Sequence, residues 1–159
     1  MLNKPMRNLL CLIGAVLITS LTCRAGSAEP TEQEEFFIHK YKTAFEAKDT
    51  ATLESFLYTQ GANPDMIRFF KMMLTSEEGA KISRIELVAM TPEEAAKATE
   101  PGEGFPGGPK ICLPLKPIKK LFIKVAYSGR SDSLVSGSSE SLVAEKDGRL
   151  VIPVPVPCE

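Results

Sequence analysis

The chain closes on "SESLVAEKDGRLVIPVPVPCE" (residues 139–159), and the reading of this stretch decides the fold. On either side of Asp147-Gly148 the apolar residues recur at a period of two, as they do on strands. Asp-Gly between two such runs is a strong two-residue turn signal, so a β-hairpin is expected here. After the turn, Leu150, Ile152, Val154, Val156 and Cys158 share one parity, while Pro153, Pro155 and Pro157 share the other. Successive backbone N–H groups of a strand point to alternate sides. Three prolines at spacing two therefore remove donors from one side alone. That pattern predicts an edge strand shielded from edge-to-edge association, with Cys158 turned inward beside the apolar residues.

Working back from the hairpin, "IKKLFIKVAYS" (118–128) is the clearest strand, with Leu121, Ile123, Val125 and Tyr127 facing a core. "KISRIELVAM" (81–90) alternates in the same way and puts Ile85, Leu87 and Ala89 on one face. Upstream of residue 81 the period changes to that of helices. Thr31 with Glu34 three residues on forms a capping box. It opens a helix whose Phe37, Tyr41, Ala44 and Phe45 share one face. Asp49 or Thr50 stops it and caps a second, short helix carrying Leu53, Phe56 and Leu57. Asn63-Pro64 starts a third, with Met66, Phe69, Phe70, Met73 and Leu74 as its stripe. Met66, Met72, Met73 and the phenylalanines of this helix are read as core. Thr91-Pro92 starts a short helical turn to about Ala98. "TEPGEGFPGGP" (99–109) reads as surface loop, and "KICLPL" (110–115) as a short extended piece. Helices first and a mostly antiparallel sheet after them make an α+β domain.

The first 28 residues have a different character. Lys4 and Arg7 precede an uncharged run from Leu9 to Thr22, and Ala25-Gly26-Ser27-Ala28 supplies small residues. The run is shorter than the roughly 18–20 residues that cross a bilayer, so it reads as a secretory signal cut at Ala28. The expected domain then covers residues 29–159, exported to the periplasm or medium, with no stable membrane span after cleavage. Ser20-Leu21-Thr22 before Cys23 is a poor setting for lipid anchoring. Of the 19 basic residues, Lys4, Arg7 and Arg24 leave with the leader and none of the 20 acidic ones does, so the mature balance is acidic. Mild acidity without tryptophan argues against a nucleic-acid partner. The four cysteines become two, Cys112 and Cys158, an even count in an oxidising compartment, and a disulfide between them is expected.

Around "YKTAFEAKDTATLESFL" (41–57), a helix ending in Ala47-Lys48-Asp49 and followed at Leu53 by a short apolar helix resembles the opening of the nuclear transport factor 2-like (SnoaL-like) superfamily. "LVAEKDGRLVIPVP" (142–155) is similar to the last hairpin of that superfamily. Residues 59–75 depart from it, reading as loop then helix where those domains usually place a strand pair. The resemblance implies a cone-like fold in a reduced, exported form, with a curved sheet and a pocket between that sheet and the long helix. It also implies functions ranging from isomerases and dehydratases to binding modules without catalysis. In the isomerase branch a tyrosine of the first helix donates a hydrogen bond to the substrate oxyanion and a carboxylate moves the proton. Tyr41 and Asp65 stand at the matching positions. By the residues alone Tyr41 reads as a packing residue, and Asp65 as a helix-start acid favoured by the dipole.

Other candidates read as structural. His39, the single histidine, shares a solvated face with Glu35, Thr43 and Glu46 and lacks the neighbours of a metal site or a triad. Gly102 to Lys110 lacks the Gly-Lys-Ser/Thr ending of a phosphate cradle. Lys110, Lys116, Lys119, Lys120 and Lys124 form a locally basic patch of the kind solvated strands carry. No cofactor or metal is called for. The reading is a non-catalytic ligand-binding or accessory module whose partner is a small apolar ligand or a protein. An isomerase- or dehydratase-like enzyme and an envelope-tethered structural module are the alternatives.

Overall fold

The computed structural model describes residues 29–104, 108–127 and 135–158. The expected leader and its cleavage at Ala28 lie outside the described residues, as does the side chain of Tyr127.

The first helix, α1 (Glu32–Ala47), opens on the capping box: Thr31 Oγ1 accepts from the Glu34 N–H, and the Glu34 carboxylate accepts from the Thr31 N–H. It closes on Lys48 in the left-handed region, whose N–H donates to the last-turn carbonyls. Asp49 then caps α2 (Thr50–Glu54) by accepting from the Thr52 N–H. This second helix is shorter than the sequence suggests. Phe56 lies beyond it and Leu57 belongs to a two-residue strand, β1 (Leu57–Tyr58). Asn63 caps α3 (Pro64–Thr75), with Pro64 in its first turn, where the missing N–H costs no hydrogen bond.

Next come β2 (Lys81–Ala89), α4 (Pro92–Ala98), β3 (Gly102–Glu103), β4 (Lys110–Cys112), β5 (Pro117–Tyr127), β6 (Val135–Lys146), β7 (Arg149–Pro153) and β8 (Val156–Pro157). Five strands form one sheet in the order β1-β7-β6-β5-β2, antiparallel except for the β1–β7 pair. Three short strands form another in the order β3-β4-β8. The chain is an α+β protein. Gly102–Glu103, expected as loop, is thus a strand paired with Lys110 and Ile111.

In β2 the register against β5 shifts between Ile82 and Arg84. One extra residue, Ser83, bulges out, and its hydroxyl donates to the Lys124 carbonyl at 3.0 Å. The bulge explains why Ile82 is buried while Ile85 and Leu87, of the opposite parity, also pack on the core. Ala89, expected on the same face, is exposed at the strand end. The β6–β7 hairpin turns at Asp147 (φ 50°) and Gly148 (φ 70°), between the paired Lys146 and Arg149. Two consecutive positive φ values define the turn whose twist matches that of the flanking strands.

The core lies between α1, α2 and the five-stranded sheet. Phe37, Tyr41, Ala44 and Phe45 bring the α1 stripe against Leu53, Phe56, Leu121, Ile123, Val125, Val143 and Ile152. Phe37 and Phe56 meet edge to face at 4.9 Å between ring centres, and Tyr41 lies 5.4 Å from Phe56. Each fully buried apolar side chain contributes about 1.5–3 kcal/mol.

The single edge strand expected at the chain's end is two strands. β8 is the edge of the small sheet, but β7 is internal, flanked by β6 on one side and β1 on the other; the Ile152 N–H and that of Val154, just beyond β7, donate to the Phe56 and Tyr58 carbonyls. The parity argument survives the change of place. N–H donors of even residues serve β1 and then β4, ending with Cys158 N–H to the Lys110 carbonyl at 3.0 Å. Pro153, Pro155 and Pro157 fall on the other side, where the β6 ladder has ended at Ala144 and Val151. Cys158 is half-buried within the small sheet rather than in the main core. A disulfide joins it to Cys112, with Cα atoms 5.1 Å apart. The small sheet rests on the start of α3. Gly104 lies so close to Met66 and Ile111 that a Cβ there would stand 3.2 Å and 3.0 Å from them.

Candidate functional site

The α3 stripe is only partly core. Met66 and Leu74 are buried and Phe70 is half-buried, but Phe69, Met72 and Met73 are 37%, 59% and 47% exposed. The reading of the α3 methionines and phenylalanines as core is therefore corrected. Beside the C-terminal half of the helix, a cavity of about 280 Å³ opens between α1, α3 and β6.

Three kinds of wall make this cavity. Tyr41 and Phe45 come from α1, and Phe70 and Met73 from α3, with Glu77 in the turn after it. The third wall is β6. Ser139 and Ser141 stand opposite Ile123 and Leu121 in the antiparallel ladder, and directly opposed residues share a face. Leu121 and Ile123 face the core, so both serines lie on that side of the sheet, Ser141 half-buried and Ser139 exposed at the cavity mouth. The core side of β6 thus changes from Val143, which is fully buried, to hydroxyls at the cavity. Glu140 borders the same space, but its parity is outward and it pairs with Lys120 at 3.7 Å.

Tyr41 is 2% exposed, and burial pushes its phenol well above the usual tyrosine range. At any physiological pH it is a neutral hydroxyl, available as a hydrogen-bond donor. Asp65 is elsewhere. It sits in the first turn of α3 with its side chain 78% exposed, pairs with Arg68 at 3.4 Å, and takes no part in lining this cavity. The structure does not bring Tyr41 and Asp65 together; Asp65 serves the helix dipole. Sequence reasoning missed Ser139, Ser141 and Glu77. The serine signal was present, since residues 139 and 141 carry the parity of Val143.

His39 is exposed on the outer face of α1. Its neighbour Glu46 accepts from the Lys81 ammonium and the Ile82 N–H, and these bonds lower its pKa. The basic patch is partly neutralised. Lys119 pairs with Glu34, and Lys120 with Glu94 at 2.7 Å, which holds α4 against the outer side of the sheet. That bond and the Thr91 N–H lower the Glu94 carboxyl to about 2. Among the described residues no group of three or more His, Cys, Asp or Glu is placed to hold a metal ion, and no helix is long and apolar enough to cross a membrane.

A larger groove, about 710 Å³, lies between the first half of α1 and the β6–β7 hairpin, with Leu57 bordering both it and the smaller cavity. The Gln33 amide donates to the Gly148 carbonyl at 2.8 Å and ties its two walls together. Comparison with protein-family models, curated proteins and solved structures found no match to this chain.

Proposed function

We propose that this chain is an exported, non-catalytic binding module that holds a small, mostly apolar ligand in the cavity between α1, α3 and β6. The observation that carries the reading is the pair of serines on the helix side of the sheet, half-buried Ser141 and exposed Ser139, set opposite Leu121 and Ile123 along the cavity. An apolar lining with a few convergent hydroxyls is the usual build of a small-molecule site. Tyr41 adds a neutral donor, and Met73, half in solvent at the mouth, adds an adaptable apolar wall. The proposed relationship to the SnoaL-like superfamily rests on the α1–α2 opening and the closing β6–β7 hairpin, and α3 stands where those domains usually place a strand pair. The leader-like first 28 residues and the Cys112–Cys158 disulfide support export.

A ligand screen by thermal shift tests the proposal. Small apolar molecules carrying one acceptor should raise the melting temperature, and Tyr41→Phe should weaken the best of them about tenfold through the lost hydrogen bond. Unchanged affinity in Tyr41→Phe and in a Ser139→Ala/Ser141→Ala variant would refute the site. A second reading, an isomerase or dehydratase, is favoured by one observation: Tyr41 and Glu77 line the same cavity. Turnover of an enolisable ketone that is abolished by Tyr41→Phe in a folded protein would establish it over the first. Export is tested by N-terminal sequencing of the exported protein. The chain should begin close to Glu29, and an intact Met1 would refute cleavage.

A further inference from the structure

We propose that the groove between α1 and the β6–β7 hairpin is a second, separate site, and that it takes a single-headed anionic amphiphile with a carboxylate or phosphate head and a hydrocarbon tail. Helical spacing builds one wall: Gln33, Phe36, Phe37 and Lys40 stand at i, i+3, i+4 and i+7 and all line the groove. The hairpin builds the other wall from Lys146 through Val151. Its volume, about 710 Å³, falls in the range of small-molecule sites and is too small for a folded partner.

Two features specify the occupant. The first is an apolar surface that folding leaves uncovered. Phe36 is 68% exposed at the rim, and half-buried Leu57 and Tyr58 line the groove beside the buried Phe56. The second is charge. Lys40 reaches in from the helix, and Lys146 and Arg149 from the hairpin, against the single carboxylate of Asp147. Asp147 pairs with Lys146 at 3.3 Å. Among the described residues neither Lys40 nor Arg149 has a carboxylate within ion-pair distance, and Asp49 acts on Lys40 only from beyond it.

The Lys40 ammonium is instead held over the face of Phe56, 5.7 Å from the ring centre, so that a cation stands directly beside the apolar lining. The whole chain carries a formal charge of −1. A lining with a surplus of cations is therefore a local feature and does not follow from composition. An anionic head between Lys40 and Arg149 satisfies both cations with charge-assisted bonds, while its tail covers Phe36, 68% exposed without it. A cationic amphiphile of the same length gains the apolar contact but meets the cations.

Isothermal titration calorimetry of the chain with dodecanoate, dodecyl phosphate and dodecyltrimethylammonium, each below its micelle concentration, tests the site. One equivalent of dodecanoate, of dodecyl phosphate or of both should bind, and comparison of the two identifies the head group preferred. Dodecyltrimethylammonium should not bind. Lys40→Gln and Arg149→Gln should each weaken the anion about tenfold, and Lys40→Arg should restore it. Both side chains are at the surface, so the variants keep the native circular dichroism. Tyr41→Phe, which alters the inner cavity, should leave the anion's affinity unchanged, so failure at one site is read separately from failure at the other. Equal binding of the cationic amphiphile, absence of binding by both anions, or full affinity in Lys40→Gln/Arg149→Gln would overturn the proposal.

Discussion

Cys112 and Cys158 are 46 residues apart, and the loop they close encloses β5, β6 and β7. These strands carry Leu121, Ile123, Val125, Val143 and Ile152, most of the sheet's share of the core. The main sheet therefore cannot unfold without expanding a loop whose ends are tied. On the chain-entropy account, restricting a loop of that length in the unfolded state is worth about 4 kcal/mol. That is a large fraction of the roughly 5–15 kcal/mol that holds a domain folded. The perturbation is Cys112→Ser/Cys158→Ser, or reduction of the native protein, followed by urea unfolding monitored by circular dichroism. With a slope of about 1.5 kcal/mol per molar urea, the midpoint should fall by about 2.7 M. Mass mapping without reduction should find the linked peptide beforehand. A fall of less than about 0.5 M would refute the reasoning. It would mean that the β3-β4-β8 sheet opens independently and that the tie lies outside the cooperative unit.

Other consequences are as direct. Leu53→Ala empties a fully buried position beneath Phe56 and should cost about 2–5 kcal/mol, read as a lower urea midpoint at unchanged slope; a cost below about 1 kcal/mol would contradict the packing described. Glu94→Gln keeps the capping box of α4 but removes the charge that meets Lys120. The depressed carboxyl contributes stability that is present above its ordinary value of 4.5 and lost as pH falls toward about 2. The variant should therefore melt lower than the parent at pH 7, with the gap closing toward pH 2, and a gap independent of pH would contradict the ion pair. Thr31→Ala removes the acceptor for the Glu34 N–H and should destabilise the protein by about 1 kcal/mol in the same urea assay.

Local signals in the sequence were strong wherever the structure-forming rule is local. The α1 stripe, its capping box and the Asp147-Gly148 turn each involve residues within a turn or two of one another, and the structure contains all of them. The features that escaped depend on distant partners. Leu57 and Tyr58 have no strand pattern of their own in two residues; β1 exists because Phe56 and Tyr58 carbonyls meet the N–H groups of Ile152 and Val154, almost 100 residues later. The bulge at Ser83 was invisible for the same reason. Alternation in "KISRIELVAM" is consistent with Ile82 facing away from Ile85, and only pairing with Val125 and Ile123 puts both on the core side.

The candidate site was legible by residue type but not by role. Tyr41 carried the right helical spacing for burial, and it is buried. Its proposed companion Asp65 obeyed a local rule, the preference of acids for a helix start, and local rules carry no information about which cavity a side chain enters. The α3 stripe makes the same point from the apolar side. Met66, Phe69, Phe70, Met73 and Leu74 specify an amphipathic helix equally well whether or not something covers the whole face. The small sheet covers Met66, and the main core covers Leu74. The main sheet meets α3 at that point with Ser139 and Ser141 in place of apolar residues, so nothing in the described chain closes over Met73. The uncovered stretch of α3 and the change from Val143 to serine are thus one feature seen from two elements. The proposed site rests on that coincidence: the apolar alternation of β6 lapses beside the exposed part of the α3 stripe.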